Sequence, residues 1–212
     1  MFTIPVGDGL PIYESVVVTW IVMAVLVLLS IILVRNLKVE NPGKKQLALE
    51  AGYLFFRNFF YNLLGEHGAR YIPYMITIVL YIGLANIMGV FGFVPPTKDM
   101  GVTIALALMS IILIEYSGIH QKGTKGWLKS FAEPIPIMLP INILEIGIRP
   151  LSLCMRLYGN VLGSYVVMKL VEIICPILLP VPFNLYFDFF DGFIQAYVFV
   201  FLTSLFISEA VE

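Results

Sequence analysis

Apolar and polar residues alternate along this chain in long blocks. Val16 to Val34 holds no charge and is long enough, at about 19 residues, to cross a bilayer as a helix. Glu14 precedes it, and Arg35, Lys38, Lys44 and Lys45 come after it. Residues 42 to 65 change character. Lys45, Glu50, Arg57 and Asn58 interleave with Leu47, Leu49, Leu54, Phe55, Phe56, Phe59 and Phe60. That pattern predicts an amphipathic helix lying in the membrane interface, with Pro42 at its start; a loosely packed additional span is the alternative. Residues 71 to 94 and 101 to 120 read as a hairpin of two spans, turned by Pro95 and Pro96. Gly83, Gly89 and Gly92 in the first of them permit close helix packing. Residues 121 to 140, with Pro134, Pro136 and Pro140, form a connection that Trp127 and Phe131 anchor at the headgroups.

Residues 141 to 175 then predict one helix of roughly 35 residues and 50 Å, longer than the ~30 Å hydrocarbon layer, so it must tilt or bend. Pro176, Pro180 and Pro182 turn the chain into a last helix over 183 to 208. Residues 1 to 13, with Pro5, Gly7, Gly9 and Pro11, read as an irregular external arm. The N-terminus lacks the basic region of a cleavable signal, and its first apolar run is long enough to stay in the membrane.

Composition agrees with this segmentation. Of the 212 residues, 59% are hydrophobic and 13% charged, about half the charge of a soluble domain. The mean hydropathy is +0.93. The fold class is an all-α polytopic membrane protein: about five transmembrane helices plus one interfacial amphipathic helix, the last two long and tilted as a hairpin. Lys and Arg cluster after the first and third spans, which puts the N-terminus outside and the C-terminus in the cytoplasm. A net charge of -1 suggests no nucleic-acid partner. Cys154 and Cys175, on one helix, stand roughly 30 Å apart and form no disulfide. Neither a phosphate-binding loop nor another nucleotide motif is present, and the reading calls for no cofactor and no metal.

Two polar stripes interrupt the apolar pattern. Glu145, Arg149, Ser152, Arg156 and Asn160 are separated by four, three, four and four residues, which places them on one helix face, with Ser164 beyond. The last helix carries Asp188, Asp191 and Gln195 at spacings of three and four. Ionisable residues inside a membrane are costly and mark ion routes, and such a route needs a crevice lined by more than one element. Arg156 is the leading candidate. Its guanidinium stays charged and can face a carboxylate without taking its proton. A structural arginine, paired with Asp188, Asp191 or Glu145, is the competing reading. Glu145 and Arg149 pair internally or line a cytoplasmic exit. Asn86 bonds a neighbouring helix or serves the ion path, and Glu115 sits at the cytoplasmic interface.

The stretch Arg149-Pro150-Leu151-Ser152-Leu153, with Arg156-Leu157-Tyr158-Gly159-Asn160 after it, resembles the signature of subunit a of F-type ATP synthases, (R/K)PxSLxxRLFGN, with Tyr158 for the usual Phe. Pro95-Pro96-Thr97 with Asp99 and Val102-Thr103 resembles the same family, as does Gln195-Ala196-Tyr197-Val198-Phe199. The resemblance implies a non-catalytic stator subunit of the membrane sector. It would offer two aqueous half-channels to carboxylates on a ring of c subunits, with Arg156 separating them. It implies c-ring subunits, peripheral-stalk b subunits, the other ATP synthase subunits and the lipid bilayer as partners. The plasma membrane of a bacterium is the implied location, an organelle inner or thylakoid membrane the alternative. Gln195 is expected near Arg156; Ser152, Asn160, Asp188, Asp191, Glu145, Asn86 and Asp99 are candidates for the ion path. Asp188 stands where several relatives have His, and Tyr165 where many have Glu or His. The coupling ion, proton or sodium, is set mainly by the ring. A self-contained ion or solute transporter is the alternative function, and a membrane anchor without transport a third.

Overall fold

The computed structural model describes residues 3–5, 11–35, 37–38, 43–91, 93–130, 139–174 and 180–211. Two three-residue strands open it, β1 (Thr3–Pro5) and β2 (Pro11–Tyr13), paired antiparallel with Thr3 opposite Tyr13. The arm expected to be irregular thus holds a small hairpin. Thr, Ile and Tyr, residues that favour strands, outweigh the prolines, which sit opposite each other at the end of the ladder.

Among the described residues the chain then forms seven α-helices. They are α1 (Glu14–Val34), α2 (Lys44–Gly68), α3 (Ile72–Ile87), α4 (Met100–Ser130), α5 (Leu139–Ile174), α6 (Pro180–Asn184) and α7 (Gly192–Val211). A π-helical segment, Leu185–Asp191, joins α6 to α7. Five of the described stretches are long and apolar enough to cross a membrane: 14–34, 69–87, 100–124, 139–174 and 185–211. The protein is an all-α polytopic membrane protein. Helix α2 is not among the five; it packs its Phe60 and Leu64 against the core, leaving Leu47, Tyr53, Leu54 and Phe55 exposed. The expected helix start at Pro42 lies outside the described residues, as do Phe131, Pro134, Pro136, Cys175 and Pro176.

Two described glycines with positive φ redirect the chain. Gly65 (φ 66°) breaks the end of α2, and Gly123 (φ 71°) breaks α4, a conformation that only glycine adopts at no steric cost. Past Gly123 the chain turns back, and Trp127 Nε1 donates to Glu115 Oε2 (3.0 Å). Trp127 is thus tied to its own helix, in addition to any interfacial role.

The core is built by α3, α4 and α7, with α2 along one side of α7. Met75, Ile78, Ile82, Ile111, Ile114, Phe199, Val200 and Ile207 fill it. Tyr74 Oη and Ser110 Oγ bond across α3 and α4 (3.2 Å). Close approaches are made at Gly192 and Gly118, which the sequence does not single out, and not at Gly83. At Gly192 a Cβ would stand 2.6 Å from Asn86 Cβ, and at Gly118 one would stand 3.4 Å from the Ala210 carbonyl oxygen; Gly83 has open space. Helix α1 stays outside this core, burying Ser15, Val18 and Val22 and leaving Trp20, Ile31 and Ile32 exposed.

Candidate functional site

Helix α5 sets the geometry of the site. Leu153, Cys154 and Leu157 are buried on the side that packs against α4, where Thr103 Oγ1 and Cys154 Sγ meet at 3.5 Å. Because an α-helix repeats every 3.6 residues, residues three or four positions apart from one another on the other side share an outward face. Ser152, Arg156 and Asn160 are all exposed there, and Arg149 is partly covered. Among the described residues Arg156 makes no hydrogen bond and no salt bridge, so neither Glu145 nor Asp191 holds it as a structural arginine would be held. Beside it, a Cβ at Gly159 or Gly163 would have nothing within 4 Å. The face is therefore polar, charged and uncovered by the described residues, while Leu151, Met155 and Leu162 flank it with exposed apolar surface.

At one end of the stripe, Arg149 is held from two helices. Its Nη2 donates to Glu145 Oε2 (3.0 Å) and to Glu209 Oε1 of α7 (2.9 Å), and its guanidinium lies 5.1 Å from the Phe206 ring centre. The internal pair anticipated from the four-residue spacing is present; the bond to Glu209, 60 positions away, carries no local signal in the sequence.

Near the other end, Tyr165 lies between two ammonium groups, Lys98 at 5.0 Å and Lys169 at 5.8 Å from its ring centre. Lys169 also donates to Glu172 (2.7 Å). These residues and Ser164 line a cleft of about 190 Å³ that Phe187 of the π-helical segment closes on one side.

The remaining predicted residues divide by burial and bonding. Asn86 is buried and bridges three segments: its Nδ2 donates to the Gly192 carbonyl (3.0 Å), and its Oδ1 accepts from Thr97 Oγ1 (2.7 Å). Of its two anticipated roles, the structure displays the bond to a neighbouring helix. Asp99 caps α4 by accepting from the Gly101 N–H (2.9 Å) and takes a second bond from Ser15 Oγ of α1 (2.5 Å). Gln195, one turn past Gly192, is 5% exposed, and its Oε1 is a buried acceptor without a donor among the described residues. No hydrogen bond joins it to Arg156 there. Asp191 is half-buried at the end of the π-helical segment; the side chain of Asp188 lies outside the described residues. Among the described residues no three His, Cys, Asp or Glu side chains gather to hold a metal ion.

Five membrane-length helices and a charged, outward-facing stripe on the longest of them define a polytopic membrane protein built around an intramembrane ionic face. Comparison with known proteins gives the class a family. The profile of the ATP synthase A chain family matches residues 16–208. The chain is 36% identical to ATP synthase subunit a of Moorella thermoacetica, over 96% of this chain and 93% of that protein. It is 32% identical to the ATP synthase subunit a, sodium ion specific, of Propionigenium modestum (96% and 75%), and 34% identical to ATP synthase subunit a 1 of Hahella chejuensis (96% and 86%). The chain belongs to the ATP synthase A chain family. It is a multi-pass membrane component of an ATP synthase, with an ion-translocating role in the membrane sector and other ATP synthase subunits as partners.

Proposed function

We propose that this chain is the stator that carries ions past a rotating ring of c subunits, and that the outward face of α5 is where the ring runs. The observation that carries this reading is Arg156: a permanently charged group on a membrane-length helix, exposed and unpaired among the described residues, flanked by Gly159 and Gly163 with open space above them. A guanidinium at mid-helix costs about 2.5–3.5 kcal/mol on insertion scales. An anionic partner on another subunit offsets that cost. A self-contained transporter would instead close its charged site within its own helices.

In the proposed cycle an ion enters one half-channel from outside and neutralises a ring carboxylate, which then turns into lipid at low cost. It leaves through the second half-channel after nearly a full turn. Arg156 attracts the emptied carboxylate and keeps the half-channels apart. Ser152 and Asn160 lie one turn to either side and line the aqueous paths. The cleft around Tyr165, Lys169 and Glu172 is the proposed outer mouth, with Asp188 and Asp191 leading inward; Glu145 and Glu209 stand at the cytoplasmic exit. Gln195 offers its orphaned Oε1 to water or to Arg156 as the ring passes. Each unit charge moved through 100 mV supplies about 2.3 kcal/mol, so several ions are needed for each ATP. Catalysis of ATP synthesis lies on other subunits. Peripheral-stalk b subunits hold this chain still, in a bacterial plasma membrane, with the N-terminus outside and the C-terminus cytoplasmic.

Cross-linking tests the docking face. With Asn160→Cys on this chain and a cysteine beside the ring carboxylate, oxidation of membranes should yield an a–c product. Leu157→Cys, on the α4-facing side, should yield none. A product from Leu157→Cys and none from Asn160→Cys contradicts the proposal.

A further inference from the structure

We propose that the ion pair between Arg149 of α5 and Glu209 of α7 is a strut that sets the spacing of these two helices, making Arg149 a positioning residue for translocation at Arg156. The inference rests on the ion-translocating reading of Arg156 given above.

Helices α5 and α7 touch each other only lightly. α5 packs chiefly on α4, whereas α7 packs on α3, α4 and α2. Their relative position is therefore set indirectly, except where a bond spans them. At Arg149 one does. Phe206 and Glu209 are three residues apart on α7, so one face of that helix presents an aromatic ring and a carboxylate to the same cation. The guanidinium side chain is 17% exposed, whereas Glu145 and Glu209 are 48% and 61% exposed. The cation is the covered member, seated between the helices, with a carboxylate from each helix upon it.

The strut also lies in register with the proposed translocation face. Arg149 precedes Arg156 by seven residues on the same side of α5, about 10 Å along the axis. Pro150, next to Arg149, removes one backbone bond of α5, but the helix continues through Arg156, so a change in the α5–α7 gap at Arg149 is passed along α5 to Arg156. Loss of Glu209 leaves Arg149 bonded to Glu145, so the spacing is released without stranding a bare charge. With the gap loosened, water can bypass Arg156, and ions leak without turning the ring.

Membrane vesicles containing the whole complex test this, with complex levels tracked by blot. Two readouts apply, ATP-driven acidification and passive proton leak after the soluble head is stripped off, and both are repeated in charge-swapped protein. Glu209→Gln should raise the leak at least threefold and cut pumping below half at unchanged complex level. The double variant Arg149→Glu with Glu209→Arg should bring both within twofold of the parent. Unaltered leak and pumping in Glu209→Gln overturn the proposal, as does a swapped complex at parental level that still leaks. Arg156→Ala measured alongside separates the two readings. If that variant pumps, the role of Arg156 itself fails, whatever the strut does.

Discussion

Single residues decide how much of this chain is scaffold and how much is face. Asn86 and Gly192 form the tightest scaffold contact. The missing Cβ of Gly192 admits Asn86, whose amide in turn satisfies the Gly192 carbonyl and the Thr97 hydroxyl. Gly192→Ala puts a methyl group 2.6 Å from Asn86 Cβ, so one helix must move. Overpacking of this kind costs about 1–3 kcal/mol, and leaving the buried carbonyl and hydroxyl unpaired adds about as much. Thermal inactivation of the purified complex should therefore fall by several degrees in Gly192→Ala and hold steady in Gly83→Ala, which has open space. At this scale the sequence was partly legible. The spacing of Glu145, Arg149, Ser152, Arg156 and Asn160 put them on one face, because helical periodicity is local. Which glycine is needed for packing, and that Arg149 reaches Glu209, depend on residues brought together from distant parts of the chain. No periodicity reports such pairs.

At the scale of elements, hydropathy predicts about five spans, and five of the described stretches are helices long and apolar enough to be such spans. What it missed are the irregularities inside those spans. The π-helical segment Leu185–Asp191 stands where a plain helix over 183 to 208 was expected, since its apolar residues look the same in either geometry. A π segment closes its bonds to the fifth residue and is common at functional sites. Compared with an unbroken α-helix of the same sequence, it rotates the residues before it relative to those after it. Deleting Phe189, an exposed residue of this segment, removes the extra residue that the wide turn accommodates, so the segment should close to an α-helical register while the helices on either side keep their mutual facing. The expected result is an assembled complex with pumping reduced more than tenfold; normal pumping after the deletion would deny the segment any part in the path. Gly123 shows the same limit. A lone glycine among Lys122, Thr124 and Lys125 gives no hint that the chain reverses there and brings Trp127 onto Glu115.

For the whole molecule, the packing explains why function was legible and geometry was not. Helices α2, α3, α4 and α7 bury one another, whereas α1 and α5 leave most of their surface uncovered: only 11% of the membrane-length window of each is buried. For α1 that surface is uniformly apolar and suits lipid. For α5 it carries Ser152, Arg156 and Asn160, which suit water and an anionic partner rather than lipid. The motif Arg156-Leu157-Tyr158-Gly159-Asn160 points to the family from the sequence alone, because a charged stripe with glycines is rare in a membrane helix. The outward direction of that stripe, the freedom of Arg156 from Glu145 and the α4 packing behind it come from the fold.

The central claim is that Arg156 couples ion flow to the rest of the complex, and Arg156→Ala tests it most directly. Vesicles bearing the variant at normal complex level should show no ATP-driven acidification. With the head stripped off, they should conduct protons passively at least as fast as the parent, since the barrier between the half-channels is gone. Coupled pumping near the parental rate in Arg156→Ala vesicles would contradict the account and return Arg156 to the status of a structural charge.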